Sequence, residues 1–325
     1  MLNYLEVIKK SQAFNIIERD INASRLSHAY LFLSQDKNLL TSFSKEVCKI
    51  LINANDIEAK QKNDLRIDKN MHPDVKIYGE EKIDVKVATQ IVEDSAYSPF
   101  ESDKKIFVLY NIDEMNEASQ NKILKTIEEP PKNTYFLLTA NGRSRILQTI
   151  LSRVKEIKLE PIDTADISSM LTEEGIDKVS AEIFASCSNG NATYAEKFSQ
   201  DKGFIEFYEN ILTMFISLEG SKDVLRFSVL FNDKKIDKSE FFDICANFIR
   251  DILLIRVGNQ NMIVNKNSIE KLTQVSRKLN ESALLDLIDM CKNCKEMLVF
   301  NVNSTAVIDE FLYKLAEVKV KCRRL

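Results

Sequence analysis

Two adjacent carboxylates follow the most apolar short segment of the chain. Residues 106–110, IFVLY, form an unbroken apolar run of strand length, and Asp113 and Glu114 come shortly after it, where helical spacing begins. This order predicts a buried parallel strand that ends in two carboxylates. Ligand chemistry in open α/β sheets lies just outside such strand ends. Asp113 therefore stands where a nucleotide hydrolase has a metal ligand, and Glu114 where it has a water-activating base.

The phosphate-binding half of such a site is missing. A phosphate-binding loop needs several glycines, because its backbone amides must all point inward, and a lysine that reaches the terminal phosphates. Residues 34–51, SQDKNLLTSFSKEVCKIL, follow the first predicted strand and contain no glycine. Leu40 stands where a lysine is expected, only Thr41 offers a suitable hydroxyl, and the first glycine of the chain is Gly79. We therefore predict that this chain binds no ATP and uses no cofactor or metal of its own.

The elements that must position these residues can be predicted from the hydrophobic pattern. Apolar segments alternate with helical patterns over residues 1–160, and the candidate strands are AYLFL, VKIY, KIFVLYNI, TYFLLTA and KEIKL. Such alternation predicts a parallel sheet covered by helices. Helical periodicity continues without strands through 161–205 and 206–325. The predicted fold class is α/β plus all-α, with a nucleotide-fold domain at 1–160, a small helical lid at 161–205 and a helical domain at 206–325.

Composition argues against a dedicated nucleic-acid-binding protein and against a membrane protein. The net charge is −4, and the one dense basic cluster, at Lys319, Lys321, Arg323 and Arg324, is interpreted as a solvated helix end. No apolar run approaches the length of a membrane span, and the first residues lack the pattern of a signal peptide. These features predict a cytoplasmic protein.

Cysteines and histidines give no clear pattern for metal or covalent chemistry. Cys291 and Cys294 have CxxC spacing, but they lie in a continuous helical pattern without a second pair or a nearby histidine. We interpret them as small buried hydrophobic residues, with metal or redox function as the less favoured alternative. His28 and His72 are expected in capping or turn contacts, since neither has an identifiable nucleophile as partner.

Several segments, in order and spacing, resemble the clamp-loader subunits of bacterial DNA polymerase III, which belong to the AAA+ class. The segments are LSHAYLFL, NMHPDVKIY, NKILKTIEEPPKNTYFLLT and ILQTILSRVKEIKL. In that family the gamma/tau subunits keep the glycine loop and its lysine, whereas the delta prime branch has commonly lost them. This chain follows the second pattern. Its ending, NVNSTAVIDEFLYKL, is also similar to the end of the delta prime carboxyl domain.

The resemblance assigns a role to an arginine that the residues alone do not single out. Arg153 lies in LSRV, where the family has a serine-arginine-cysteine motif; Ser152 and Arg153 are retained and Val154 replaces the cysteine. The resemblance implies that Arg153 acts in trans, as an arginine finger on ATP held by a neighbouring gamma/tau subunit. A guanidinium suits this role, because its fixed charge and forked donors can stabilise the charge on a transferring phosphoryl group. The alternative is an ordinary ion pair between Arg153 and a carboxylate at a domain surface.

The chain's own nucleotide site is then expected to be vestigial. It comprises Thr41, Asp113, Glu114 and Thr139, the last of which occupies the polar sensor position of the fold. A magnesium ion usually needs substrate phosphates as further ligands. Without them, the two carboxylates are expected to cap the following helix or to face polar partners. In the family an arginine near residues 191–193 senses the nucleotide, whereas this chain has Asn, Ala and Thr there.

The resemblance thus implies a delta prime-like subunit that does not hydrolyse ATP and is not an enzyme by itself. Its implied partners are gamma/tau and delta subunits, joined through a collar formed by the carboxyl-terminal domains, with sliding clamp and primer-template DNA as further contacts and no membrane. Two alternatives are an ATP-binding, gamma/tau-like motor subunit with a degenerate loop, and an AAA+-fold adaptor with purely structural contacts.

Overall fold

The protein divides into two compact units. A computed structural model describes residues 2–54, 59–233 and 236–323; Arg324, from the basic cluster near the chain end, lies outside these residues. The first unit comprises Met1–Asp166 with Asn191–Tyr194, and the second comprises Ile167–Gly190 with Ala195–Leu325. This division does not separate residues 161–205 from the later helical segments, so the lid and collar boundaries stay predictions.

Five strands form a single parallel sheet in the first unit. They are β1 (Ala29–Leu33), β2 (Val75–Tyr78), β3 (Lys105–Leu109), β4 (Thr134–Ala140) and β5 (Lys155–Lys158). Their order in the sheet is β2-β3-β4-β1-β5, and every neighbouring pair is parallel. All five predicted strands are confirmed. β3 ends at Leu109, earlier than its apolar pattern predicts, because Asn111 adopts a left-handed conformation (φ 55°) before a 3-10 turn at Ile112–Glu114.

Helices cover both faces of this sheet. They are α1 (Leu5–Lys10), α2 (Gln12–Asn22), α3 (Lys37–Asn53), α4 (Lys60–Asp68), α5 (Val85–Ser95), α6 (Glu117–Glu128) and α7 (Gln148–Leu151). Their starts follow sequence signals: Asp36, Asp84 and Asn116 each accept a backbone N–H from the first turn of α3, α5 and α6. α6 ends just before Pro130 and Pro131, as proline requires.

The core of the first unit lies on both sides of the sheet. On one face the rings of Phe107 and Phe136 stack with centroids 5.3 Å apart, in a cluster that includes Ile91 of α5 and Ile123 of α6. On the other side, Phe32 of β1 meets Phe43 of α3 edge to face at 4.9 Å. β3 is buried along its whole length, as expected for a parallel strand covered on both faces.

The chain beyond β5 is helical. The helices are α8 (Thr164–Glu173), α9 (Lys178–Cys187), α10 (Ala192–Gln200), α11 (Phe204–Ser217), α12 (Ser221–Phe231), α13 (Lys238–Arg256), α14 (Ile269–Ser276), α15 (Glu281–Val299) and α16 (Ser304–Arg323). Phe242 of α13 and Phe311 of α16 meet edge to face at 5.4 Å. The predicted fold class, α/β plus all-α, is confirmed. No described helix is long and apolar enough to cross a membrane.

The basic end of α16 differs from its predicted solvated state. Lys319 is only 2% exposed, because it continues the buried stripe that contains Phe311 and Leu315 at four-residue spacing. Its Nζ donates hydrogen bonds to the carbonyl oxygens of Phe215 (2.5 Å) and Leu218 (3.1 Å) at the carboxyl end of α11. The prediction is therefore wrong for Lys319. Its positive charge lies at the carboxyl end of a helix, where the last carbonyl oxygens need partners from outside the helix.

Candidate functional site

The predicted vestigial site lies at the carboxyl edge of the sheet, meaning the side where the parallel strands have their carboxyl ends. β3, β4 and β1 are neighbours in the sheet, so the residues at their carboxyl ends meet at one edge. Asp113 and Glu114 lie in the 3-10 turn after β3, and Thr139 is the penultimate residue of β4. Thr41 lies on α3, the helix that follows β1.

Asp113 and Thr139 bond to the backbone of neighbouring segments. Asp113 Oδ2 accepts a hydrogen bond from the N–H of Asn141 at 3.2 Å. Thr139, 1% exposed, accepts one at its Oγ1 from the N–H of Asn111 at 3.1 Å. These two bonds tie together the ends of β3 and β4. The buried Oδ1 of Asp113 has no hydrogen-bond partner within the described parts of the chain.

Glu114 lies in an ion pair. Its Oε1 is 3.3 Å from Nζ of Lys37, the first residue of α3, and both side chains are about half exposed. The cap of α6 is Asn116, whose Oδ1 accepts the N–H of Ser119 at 2.8 Å. The expectation that the carboxylates cap the following helix is therefore wrong, and the other expected role, facing polar partners, is what the structure shows.

The start of α3 holds a carboxylate that the sequence analysis missed. Asp36, 2% exposed, accepts the N–H of Leu39 at its Oδ1 at 3.0 Å. The signal was available, since an aspartate directly before an apolar helical pattern is a typical helix cap. The hydroxyl of Thr41 is engaged within the helix, because its Oγ1 donates to the carbonyl of Lys37 at 3.0 Å.

These residues do not fit a nucleoside triphosphate. A triphosphate needs inward-pointing amides from a glycine-rich loop and a cationic side chain at the helix start. Residues 34–40 contain no glycine, and Leu40 stands where the lysine is expected. Lys37, the first residue of α3, is the cation at this helix start, and it pairs with Glu114. A phosphate at the start of α3 would meet the buried carboxylate of Asp36, and two negative charges in a site shielded from water repel strongly.

Arg153 lies away from this cluster, on the side of the sheet where the parallel strands begin. It lies two residues before β5, so it is near the amino end of a parallel strand. Asp113 and Asp36 instead follow the carboxyl ends of β3 and β1. A strand of four or five residues separates the two edges by roughly 15 Å. Arg153 and the predicted vestigial site are therefore not brought together.

The guanidinium of Arg153 is held by its own chain. Nη2 is 2.7 Å from Oε1 of Glu128 at the end of α6, and Nη1 donates to the carbonyl of Thr149 (3.0 Å) and to Oγ of Ser152 (3.1 Å). The hydrogen bond from Arg153 lowers the pKa of Glu128, and the same bond raises the pKa of Arg153. The Arg153 side chain is about one third exposed, so its ion pair lies at the surface.

A buried glutamine fixes the segment that leads to Arg153. Gln120 of α6 is 2% exposed. Its Nε2 donates to the carbonyl of Arg145 at 2.8 Å, and its Oε1 accepts the N–H of Leu147 at 2.8 Å. Gln120 and Glu128 lie on the same helix, so α6 contacts both the start of this segment and the guanidinium that follows it. Neither residue was among the predicted site residues.

The thiols and histidines form no metal site with other residues that the structure describes. Cys291 and Cys294 are buried, and burial raises the pKa of both thiols, to about 11 for Cys294. No group of three or more His, Cys, Asp or Glu in the described ranges could hold a metal ion. His72 makes the expected turn contact, because its Nδ1 accepts the N–H of Asp74 at 3.2 Å.

The order of the strands and helices indicates the class of fold. A five-stranded parallel sheet covered by helices and followed by further helical segments is an AAA+-like fold. Residues 9–163 match the family model described as DNA polymerase III, delta subunit, and residues 202–317 match the model of the carboxyl-terminal part of that subunit. The chain belongs to the DNA polymerase III delta subunit family.

Similarity to one curated relative extends over nearly the whole chain. The chain is 25% identical to DNA polymerase III subunit delta' from Bacillus subtilis (strain 168), covering 97% of this chain and 98% of the relative. It is 23% identical to subunit tau from Escherichia coli (strain K12), over 52% of this chain and 27% of that protein. Among solved structures, a gamma subunit-related protein from Thermotoga maritima matches with a TM-score of 0.43 and 17% identity, covering 93% of this chain and 99% of that one.

Proposed function

We propose that this chain is a delta prime-like subunit of a bacterial replicative clamp loader that hydrolyses no ATP itself and supplies Arg153 to the ATP site of a neighbouring gamma/tau subunit. It is then not an enzyme on its own but a component of the DNA polymerase III holoenzyme, acting in the cytoplasm. Its partners are gamma/tau and delta subunits, and within the assembly the sliding clamp and primer-template DNA.

The observation that carries the proposal is the separation of Arg153 from its own vestigial site. Arg153 precedes β5, at the edge of the sheet opposite to Asp113, so it cannot serve phosphates bound at that edge. Its side chain is about one third exposed and pairs with a carboxylate on the surface. An exposed pair of this kind is worth little to stability, so a neighbouring phosphate can displace Glu128 at little cost.

A substitution in the reconstituted assembly tests the proposal. We expect Arg153→Ala to abolish ATP turnover at the one site that this chain faces, since arginine fingers raise phosphoryl-transfer rates by about 10³ to 10⁵. The steady-state ATPase rate of the assembly then falls by the fraction that this one site contributes to the total rate. Size-exclusion chromatography should show that the assembly stays intact. Arg153→Lys restores little activity, because lysine lacks the forked donors.

The matched control is Arg66→Ala. Arg66 also pairs with a surface carboxylate, Glu101, through both of its terminal nitrogens, so this variant removes an arginine and an ion pair without touching the proposed finger. An unchanged ATPase rate in Arg153→Ala would favour the adaptor with purely structural contacts. Micromolar ATP binding by the isolated chain would instead favour the motor subunit with a degenerate loop.

A further inference from the structure

The carboxylate of Asp36 joins two segments of the first unit that lie far apart in sequence. Besides the N–H of Leu39, it accepts hydrogen bonds from Thr193. Thr193 Oγ1 donates to Oδ1 at 2.5 Å, and the Thr193 N–H donates to Oδ2 at 3.2 Å. Both carboxylate oxygens are therefore engaged, one of them by two donors, in a place where the side chain is almost completely buried.

Further bonds hold residues 191–194 at the same place. Asn191 Nδ2 donates to the carbonyl of Gln35 at 3.0 Å, and the N–H of Asn38 donates to Thr193 Oγ1 at 3.4 Å. Gln35 Nε2 in turn donates to the carbonyl of Asn141 at 2.7 Å. The loop between β1 and α3 is thus bonded both to residues 191–194 and to the end of β4.

Asp36 differs from an ordinary helix cap of this chain. Asp84 caps α5 by the same type of bond, to the N–H of Val87 at 2.8 Å, but it is exposed to solvent. The amino end of a helix attracts negative charge through its dipole and its free N–H groups. At α3 that negative charge is the chain's own carboxylate, and donors from a second segment surround it as they would surround a bound anion.

We propose that Asp36 acts as a built-in anion that closes residues 191–194 onto the start of α3 without any ligand. The contact between Asp36 and residues 191–194 cannot be lost by dissociation of a ligand, because the negative charge that holds it belongs to the chain. The inference rests on the proposed absence of nucleotide from this chain's own site, and it is independent of the role of Arg153.

Hydrogen exchange of the full chain tests the inference. Asp36→Ala removes the acceptor for both donors of Thr193, so we expect the Thr193 amide to exchange about tenfold faster or more, since bonds to a buried charge are among the strong ones. Asp84→Ala is the matched control, because it removes a cap without this second contact, and exchange at Thr193 should then be unchanged. Equal exchange at Thr193 in both variants would overturn the inference.

Inorganic phosphate supplies a second readout. In Asp36→Ala the donors of Leu39 and Thr193 are left around an empty position, so millimolar phosphate should slow exchange at Thr193 again, while wild type and Asp84→Ala show no such effect. Exchange in Asp36→Ala that does not respond to phosphate would mean that Asp36 is not a substitute for an anion.

Two milder variants keep the test possible if Asp36→Ala does not fold. Thr193→Val removes the hydroxyl donor while it preserves the side-chain shape, and Asp36→Asn keeps one acceptor for Leu39 but turns an amide toward the N–H of Thr193. Both should raise exchange at residues 191–194 relative to Asp84→Ala, and no rise in either would contradict the inference. An ATP titration of wild type reports separately on the proposed function, because micromolar binding would refute that function whatever the exchange data show.

Discussion

Three carboxylates near the carboxyl ends of the strands have protein groups as partners. Asp36 receives bonds from Leu39 and Thr193, Asp113 from the backbone of Asn141, and Glu114 pairs with Lys37. Each carboxylate thus contributes to the folded structure at this edge. Restoring nucleotide binding would need more than glycines, because Asp36 would also have to be removed.

A close backbone approach makes Gly79 a sensitive position. Gly79 follows β2 with φ +96°, and a Cβ atom there would lie 2.4 Å from the carbonyl oxygen of Tyr110. We expect Gly79→Ala to lower the free energy of unfolding by at least about 2 kcal/mol, because alanine meets both a backbone clash and an unfavourable φ. Urea denaturation followed by circular dichroism measures this change.

Gly142→Ala is the control for that measurement. Gly142 lies in the loop after β4, and a Cβ atom there would have no neighbour within 4 Å. We expect a change within about 0.5 kcal/mol, as for ordinary surface substitutions. Equal destabilisation in the two variants would show that the approach of Gly79 to Tyr110 is not the cause.

At the scale of elements, α6 links the carboxyl edge of the sheet to the region of Arg153. It starts just after the turn that carries Asp113 and Glu114, its Gln120 bonds to the backbone near α7, and its Glu128 pairs with Arg153. A helix is a stiff connection between two such points. The position of Arg153 therefore depends on contacts that α6 provides at both ends.

Loss of the Gln120 contacts should loosen the segment before Arg153. Gln120→Met keeps the length and approximate volume of the side chain but leaves the Leu147 N–H and the Arg145 carbonyl without their partner. We expect the free energy of unfolding to fall by about 1–3 kcal/mol, because buried polar groups are costly to leave unsatisfied. The amide of Leu147 should also exchange faster, which measures the local effect.

Gln90→Met provides the comparison for this variant. Gln90 lies on α5 of the same unit with its side chain exposed, so the substitution should leave the free energy of unfolding nearly unchanged. If Gln120→Met were as stable as Gln90→Met, the buried bonds of Gln120 would contribute nothing measurable.

At the scale of the whole molecule, the thiols report on how tightly the chain is packed. All six cysteines are free; Cys322 is partly exposed and the others, Cys48, Cys187, Cys245, Cys291 and Cys294, are buried. Burial raises the pKa of the buried thiols, to about 12 for Cys187 and about 11 for Cys294. Since the thiolate is the reactive form, these thiols should be unreactive until the protein opens.

A thiol reagent at pH 8 should therefore label one cysteine quickly in the native protein and all six after denaturation. Cys322→Ser should remove the fast phase and leave the slow one unchanged, with the stoichiometry measured by mass spectrometry. Fast labelling of Cys291 or Cys294 in the native protein would contradict the buried interpretation and would revive a redox or metal role for that pair.

The sequence by itself determined the strands, the helical character of the chain beyond residue 160 and the positions of the carboxylates at a strand end. These features are local: apolar periodicity fixes an element, and a polar residue directly after a buried strand must lie at the edge of the sheet. The loss of the glycine loop is equally local, because it can be seen in one continuous segment. Family resemblance added Arg153, whose role stays a prediction.

Only the tertiary structure decided which groups become partners. Asp36 meets Thr193, Arg153 meets Glu128, and Lys319 reaches the end of α11, and no pattern within a short window predicts such pairs. The physical reason is that a buried charge takes whichever donors or acceptors the packing brings within about 3 Å. The sequence showed that a phosphate loop was absent, but the folded chain was needed to show that Thr193 bonds to the carboxylate at the start of α3.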